Sequence, residues 1–509
     1  MTQKRWQHNL AILVAGTGLL ANIAQAQEPT LFSGQWSTLL GVDTRAEAPQ
    51  EDIAVLRSRL DLDVRHPLDE TWKVRLGARL HYRASLAHDG DGYSPSITAN
   101  SPDFGLRYDQ FAEVRHAFVQ YQSPLGTITV GNDIAQWGAL ELQSPLRILN
   151  PQDYSLGLLG ALGSEETLAI PDFMLRWSHP LAEGAVELIC QPFFGQHRFS
   201  PFATDTSMVR PDLGPQIPST LYPLLRQMDL RLDRHLGETL MLALKSPSAS
   251  LLNASLAGRV QQHVGKWDFA LDAIWNWDRL PVLRFDKDVA FLLGKFSEAG
   301  FNQQKQFNMA LDPDVQAASK RADEAGKGMT DLVTATFQRR LVFGLEWGGE
   351  IAEGLMIRGD IAVTPRIGTF GGRVLFDAQF NPIVSSLWQA GAGFEYQHDD
   401  WLVAIAEANY QFASDVPHET QLFLMARQQV TVVGGLVLRL GEGQPWTVQL
   451  GGMYGATLGD YAIAPRVTYE FSNSYKLGLG VAVAGGPAAS PGGLFRTDDQ
   501  ILLDLRKAF

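Results

Sequence analysis

The chain has 509 residues, a formal net charge of −13, 48 glycines, 10% aromatic residues and one cysteine. Such acidity argues against nucleic acid as a partner. The lone Cys190 excludes a disulfide framework and any Cys-rich metal or haem-attachment motif.

In chain order, the first signal is an export sequence. Lys4 and Arg5 precede an apolar run over residues 10–23, and Ala24-Gln25-Ala26 supplies small residues at a cleavage position. Residues 1–26 are therefore expected to be a removed secretory signal, leaving residues 27–509 as the mature chain. A retained anchor would need about 20 apolar residues. Charged residues interrupt every later apolar stretch, so the mature chain is soluble or crosses a membrane as strands.

From residue 56 the pattern has period two. Leu56, Leu60, Leu62 and Val64 alternate with Arg57, Arg59, Asp61, Asp63 and Arg65. Trp72, Val74, Leu76, Ala78, Leu80 and Tyr82 then alternate with Lys73, Arg75, Arg79, His81 and Arg83. Later, Trp267, Phe269, Leu271, Ala273, Trp275 and Trp277 oppose Asp268, Asp272, Asn276 and Asp278; Tyr461, Ile463, Val467, Tyr469 and Phe471 oppose Arg466, Thr468 and Glu470. Alternation this long, with aromatics at the ends of the apolar faces, is the signature of strands between lipid and a polar interior. A soluble β-sandwich or propeller also alternates, but would rarely line one face so heavily with arginine.

The pattern predicts strands near 32–44, 53–65, 71–85, 109–122, 126–133, 171–180, 184–194, 252–264, 267–279, 336–350, 353–365, 387–398, 401–412, 420–440, 445–455, 460–472, 475–485 and 499–509. Tight turns at 66–70, 123–125, 181–183, 265–266, 399–400, 441–444 and 473–474 alternate with long links at 86–108, 134–170, 195–251, 280–335 and 366–386. An all-β, antiparallel transmembrane barrel of about 18 strands (range 14–18), with short periplasmic turns and long external loops, predicts this parity. In the last strand Ile501, Leu503, Leu505 and Phe509 share one face, and the terminal aromatic resembles an outer-membrane sorting signal; Lys507 departs from that pattern.

Charge on the inward face is the strongest candidate for function. Arg57, Arg59, Arg65, Lys73, Arg75, Arg79 and Arg83, with Asp61 and Asp63 among them, would line the lumen. Arg259, Arg340, Arg358 and Arg466 add cations elsewhere; Asp268, Asp272, Glu346, Asp360, Glu395, Glu407 and Glu470 add anions. A cationic wall facing an acidic one would orient anionic or dipolar solutes; alternatively the charges neutralise one another in a filled interior. The link at 134–170 carries Trp137-Gly138 and Asn150-Pro151-Gln152-Asp153, then an apolar, Gly-rich stretch to residue 162. A loop this apolar is expected to fold inward as a constriction, the alternative being a loop packed on its external neighbours.

Residues 115–121, Gly131, Trp137-Gly138 and Asn150-Pro151 with Asp153 resemble a family of proteobacterial porin-like outer-membrane barrels catalogued as a domain of unknown function. Residues 252–281, with Trp267-Asp268 and Trp277-Asp278, resemble it too, although Asn132 departs from its pattern. The resemblance implies a porin-like barrel serving hydrophobic or lipid-like compounds, and brings no catalytic residues.

Asp89-Gly90-Asp91-Gly92 lacks full calcium-loop spacing, and no nucleophile elbow, His-Glu-x-x-His pair or other metal or cofactor motif is present. Asp312-Pro313-Asp314 is expected to cap a polar helix reaching about Lys327. Three function classes follow: a channel moving small hydrophobic or anionic molecules across the outer membrane of a Gram-negative bacterium, a lipid-modifying enzyme, and a scaffold holding a periplasmic electron carrier or lipid-transfer protein. The first is preferred. Its expected partners are outer-membrane lipid, the barrel-assembly machinery and the solute.

Overall fold

The computed structural model describes residues 30–44, 55–84, 110–153, 168–197, 244–280, 282–288, 311–327, 333–367, 370–377, 382–420, 425–441, 443–472, 474–487, 490–494 and 499–509, with a few single positions between them. The signal-sequence expectation and Asp89–Gly92 lie outside these residues.

Eighteen strands form one sheet. They are β1 (Leu31–Asp43), β2 (Val55–Pro67), β3 (Trp72–Ala84), β4 (Gln110–Ser123), β5 (Gly126–Asp133), β6 (Asp172–Leu181), β7 (Gly184–Gln191), β8 (Ser255–Val264) and β9 (Trp267–Trp277). The second half comprises β10 (Arg339–Ala352), β11 (Leu355–Thr364), β12 (Leu387–His398), β13 (Leu402–Ala413), β14 (Gln428–Leu440), β15 (Trp446–Gly455), β16 (Asp460–Ser472), β17 (Tyr475–Gly485) and β18 (Gln500–Ala508). Each pairs antiparallel with its neighbour in the chain, and β18 pairs with β1, so the sheet closes into a barrel with no free edge. Closure satisfies every ladder within the sheet, which lipid demands because it offers no hydrogen bonds.

The seam explains two residues. Gly34 and Phe509 exchange backbone hydrogen bonds of 2.9 Å. A Cβ on Gly34 would fall 2.4 Å from the Phe509 ring, so the glycine makes room for the terminal aromatic. Lys507, out of pattern in sequence, places its ammonium 4.7 Å from the centre of the Tyr475 ring, a cation–π contact that suits an interfacial lysine.

Alternation sorts the two faces as the sequence predicts. On β16, Tyr461, Ile463, Val467, Tyr469 and Phe471 point outward and are exposed, leaving Ala462, Ala464, Arg466, Thr468 and Glu470 inside. Outward aromatics gather at both rims: Trp72, Trp401, Trp446 and Tyr469 at the short-turn end, Trp388, Tyr410, Tyr454 and Tyr461 at the other. This two-girdle belt is the form a lipid-facing surface takes.

The connections at one end are all short: 68–71, 124–125, 182–183, 265–266, 353–354, 399–401, 441–445 and 473–474. Side-chain chemistry sets them. Asp69 accepts hydrogen bonds from the hydroxyl and N–H of Thr71 (both 2.7 Å) and the N–H of Trp72 (2.8 Å), which turns the chain and lowers the carboxyl pKa. Gly265, at φ 64°, supplies the left-handed residue that a two-residue hairpin needs. At the other end all but 456–459 are longer.

One strand is shorter than its pattern suggests. The expected 420–440 segment begins pairing only at Gln428. Leu422 and Met425 instead join Leu375, Leu387, Ala413 and Val416 in an apolar cluster over that rim, so burial there outweighs strand extension. The polar helix expected after Asp312 spans Pro313–Lys327, with the Asp312 carboxylate accepting from the Asp314 N–H at 2.9 Å.

Candidate functional site: a loop-filled lumen with a basic wall

The link between β5 and β6 enters the barrel. Gly131, the last inward position but one of β5, has φ 139°, and a Cβ there would lie 2.0 Å from the Ala117 carbonyl. Asn150, 2% exposed, then ties the loop's two arms together: its Oδ1 accepts from the Ala135 N–H at 2.8 Å, and its Nδ2 donates to the Asp133 and Ile170 carbonyls at 3.1 and 3.0 Å. Pro151 accepts from the Ile170 N–H, and Asp153 donates to Leu168 O, both at 2.8 Å. The Asn-Pro-x-Asp segment is thus the clasp at the base of the loop.

Trp137, Leu146 and Leu149 bury themselves against Met174, Ile189, Ala257, Ile274 and Val342, the inward residues of β6 to β10. Fully burying such side chains contributes about 1.5–3 kcal/mol each. Trp137 also donates its indole N–H to Glu187 at 2.7 Å. Beyond it, Gly138 at φ 105° lets the backbone pass beside Asp360, where a Cβ would meet Ser144 Oγ at 1.9 Å.

Two wall carboxylates hold the tip. Asp360 on β11 accepts the N–H groups of Ala139 and Leu140 at 2.8 and 3.1 Å. Glu407 on β13 accepts those of Glu141, Leu142 and Gln143 at 2.6, 2.9 and 2.8 Å. Arg147 donates to the Glu141 and Leu140 carbonyls from within the loop at 2.8 and 2.6 Å; burial lowers its pKa, opposed by the charges of Glu407 and Asp360. Arg358 joins Glu141 at the tip to Glu395 on the wall (2.7 Å to the latter).

The inward arginines occupy the other side. Asp61 is shared by Arg59 and Arg79, each at 2.6 Å. Asp63 is shared by Arg65 and Arg75 at 3.1 and 2.9 Å. Asp504 is shared by Arg466 and Arg506, at 2.9 Å to the latter. Register joins the three sets: Ser37 of β1 pairs with both Arg506 and Arg59, and Leu39 with both Asp504 and Arg57. In this band from β16 to β3, six guanidiniums surround three carboxylates.

On the opposing wall the contacts follow the second of the two arrangements the sequence allowed, mutual neutralisation. The acidic residues do not form an open counter-surface. Asp360 and Glu407 are taken up by loop N–H groups; Glu346 lies 2.6 Å and Asp272 3.8 Å from Arg259. Glu395 pairs with Arg358, Glu470 with Lys476 at 3.2 Å and Asp268 with His263 at 2.8 Å. Arg65 is more than half exposed and Lys73 exposed near the short-turn mouth, and Arg83 stands opposite Arg57 in the ladder. Among the described residues no group of His, Cys, Asp or Glu could hold a metal ion.

At the opposite rim, Arg279 clamps three segments: it donates to Leu149 O, Gly195 O and Asp172, at 3.0 Å to the last. Beside it the Gln152 N–H donates to His197 Nδ1 at 2.8 Å. Burial, then the Arg279 charge, push His197 down to about 3.

Sequence reasoning left the anchoring roles of Glu407 and Asp360 unassigned, and the signal for them was small residues on the inward face. A Cβ on Gly391 would fall 2.5 Å from Leu140, and one on Gly344 2.6 Å from Leu146. The inward Gly344 and Gly391 mark where the loop docks.

The solved structures this chain is similar to are outer-membrane barrels. OmpF of Salmonella typhi in complex with daunomycin shares 8% identity over 94% of this chain and 97% of that one, with a TM-score of 0.42. The outer-membrane channel DcaP of Acinetobacter baumannii shares 8% identity over 94% and 97% at 0.38. A loop L8 deletion mutant of OmpT, an outer membrane protein of Vibrio cholerae, shares 11% over 94% and 99%, also at 0.38. No family model and no curated protein matches the sequence. The barrel architecture rests on the strand pairing itself, and these likenesses say nothing about what the lumen carries.

Proposed function

We propose that this chain is a porin-like channel in the outer membrane of a Gram-negative bacterium, passing small anionic solutes along the basic band on β16, β18, β2 and β3. Membership of the porin-like family suggested by its Trp-Gly and Asn-Pro-x-Asp motifs is part of the proposal. The observation that carries the reading is the unequal use of charge: Glu346, Asp360, Glu395 and Glu407 on β10 to β13 are engaged with the loop or with arginine, whereas Asp61, Asp63 and Asp504 of the opposite band each serve two guanidiniums. A net positive wall beside a constriction raises the local anion concentration.

The test is reversal potential across a planar bilayer under a KCl gradient. The wild type should prefer chloride. Arg75→Glu and Arg79→Glu together should abolish or invert that preference, and an unchanged reversal potential would overturn the assignment of selectivity to this band.

A further inference from the structure

The inward loop and the basic band leave an interval between them. The loop's last anchor is Glu407 on β13 and the band's first guanidinium is Arg466 on β16, so β14 and β15 line the interval. At its centre Gly435 of β14 pairs with Ile405 of β13 on one side and Gly451 of β15 on the other. Gly435 points inward, in phase with Thr431 and Val433 and out of phase with the exposed Val430 and Val432. Among the described residues, a Cβ on Gly435 would meet nothing within 4 Å beyond its own chain neighbours. Other inward glycines are filled: by Leu146 at Gly344, Leu140 at Gly391, Glu407 at Gly393 and Asp504 at Gly478. Gly435 therefore opens onto free space.

The loop tip borders this notch. Val433, the next inward residue of β14 toward the long loops, pairs with Glu407, whose carboxylate holds the N–H groups of Leu142 and Gln143. Leu142 is 42% exposed. Toward the short turns Val437 pairs with Gln449, and Gln449 with Arg466, so the notch adjoins the basic band. Around the two glycines the half-buried Ile405, Val433, Val437 and Met453 offer no N–H or O–H. A wall of that kind sorts solutes by cross-section. Glycine weakens a strand, and its use inside one marks a place that must stay clear for close approach. We propose that the conducting path passes the loop tip at this notch, and that Gly435 with Gly451 sets the largest solute admitted. This rests on the channel reading above and assigns its size-determining residues.

The experiment fills the notch in the reconstituted full chain. Gly435→Leu should lower single-channel chloride conductance about twofold, and Gly435→Trp on the order of fivefold. Both should also reduce the largest polyethylene glycol that still enters the pore, read from its effect on conductance. Gly434→Leu is the control: one residue away, on the lipid side, it should leave conductance and sieving unchanged. Gly435→Cys in a Cys190→Ala background gives an independent route, since a sulfonated thiol reagent should cut its current in steps and weaken its chloride preference. Heat-shifted gel mobility identifies folded variants, and the cysteine variant decides the matter should the bulky ones fail to fold. Wild-type conductance and sieving in folded Gly435→Trp, or full current through completely modified Gly435→Cys, would overturn the notch and leave the channel reading standing. A wild type without conductance would overturn both.

Discussion

Replacing Glu407 by alanine should free the tip of the inward loop. In the wild type this carboxylate accepts three consecutive backbone N–H groups at 2.6–2.9 Å. Hydrogen bonds to a charged acceptor contribute about 1.5–3 kcal/mol each. Water in the lumen can take up the freed donors, so the net loss falls well below the full sum. About 3 kcal/mol is a reasonable total, which raises the undocked population on the order of 100-fold. Asp360 still grips residues 139 and 140, and the Trp137–Leu149 cluster still holds the base, so only the tip moves. Single-channel recordings should then show frequent excursions to a higher conductance, absent from the wild type. Glu407→Gln, which keeps one carbonyl oxygen, should produce fewer of them. A folded Glu407→Ala protein with wild-type conductance and noise would refute the latch.

Three further outcomes follow from the geometry. Asn150→Ala removes three hydrogen bonds at a 2%-exposed site and should destabilise the loop base by about 3 kcal/mol, read as faster protease cleavage between residues 134 and 170; unaltered cleavage would contradict the clasp. His197 is held near 3, below the usual value near 6.5, so the unfolded chain takes up its proton first on acidification. Its contribution is complete above about pH 6.5 and is lost as pH falls toward 3; amide exchange at Gln152 should accelerate over that window, and should be insensitive to pH-linked opening in His197→Asn. Gly34→Leu places a side chain where the Phe509 ring lies and should slow barrel closure, measured as a larger fraction of unshifted protein on unheated gels. A normal folded fraction would show that this packing is dispensable.

Most of the barrel was readable because lipid enforces a two-residue period on every strand. Arg57, Arg59, Asp61 and Asp63 could face only one way once Leu56, Leu60 and Leu62 faced lipid. Pairings across the lumen have no such periodicity. Asp504 belongs with Arg466 two strands away, and nothing in either segment announces it. The loop's inward course was suggested by its apolar content, but its anchor at Glu407 lies 264 to 266 residues away. The sequence left open whether the inward charges form opposing walls or neutralise one another for the same reason: nothing in it shows the backbone N–H groups that engage Asp360 and Glu407. At residues 420–427 an apolar stretch passed for strand because periodicity does not distinguish burial in a rim cluster from burial against lipid.

Cysteine scanning along β2 in a Cys190→Ala background tests the shared premise most directly. Single cysteines at 56 to 65 would be treated, in lipid vesicles, with a charged, water-soluble thiol reagent and scored by mass. Positions 57, 59, 61, 63 and 65 should react while 56, 60, 62 and 64 stay protected. Uniform labelling, or labelling of the leucine positions instead, would contradict an enclosed polar lumen behind a lipid-facing wall.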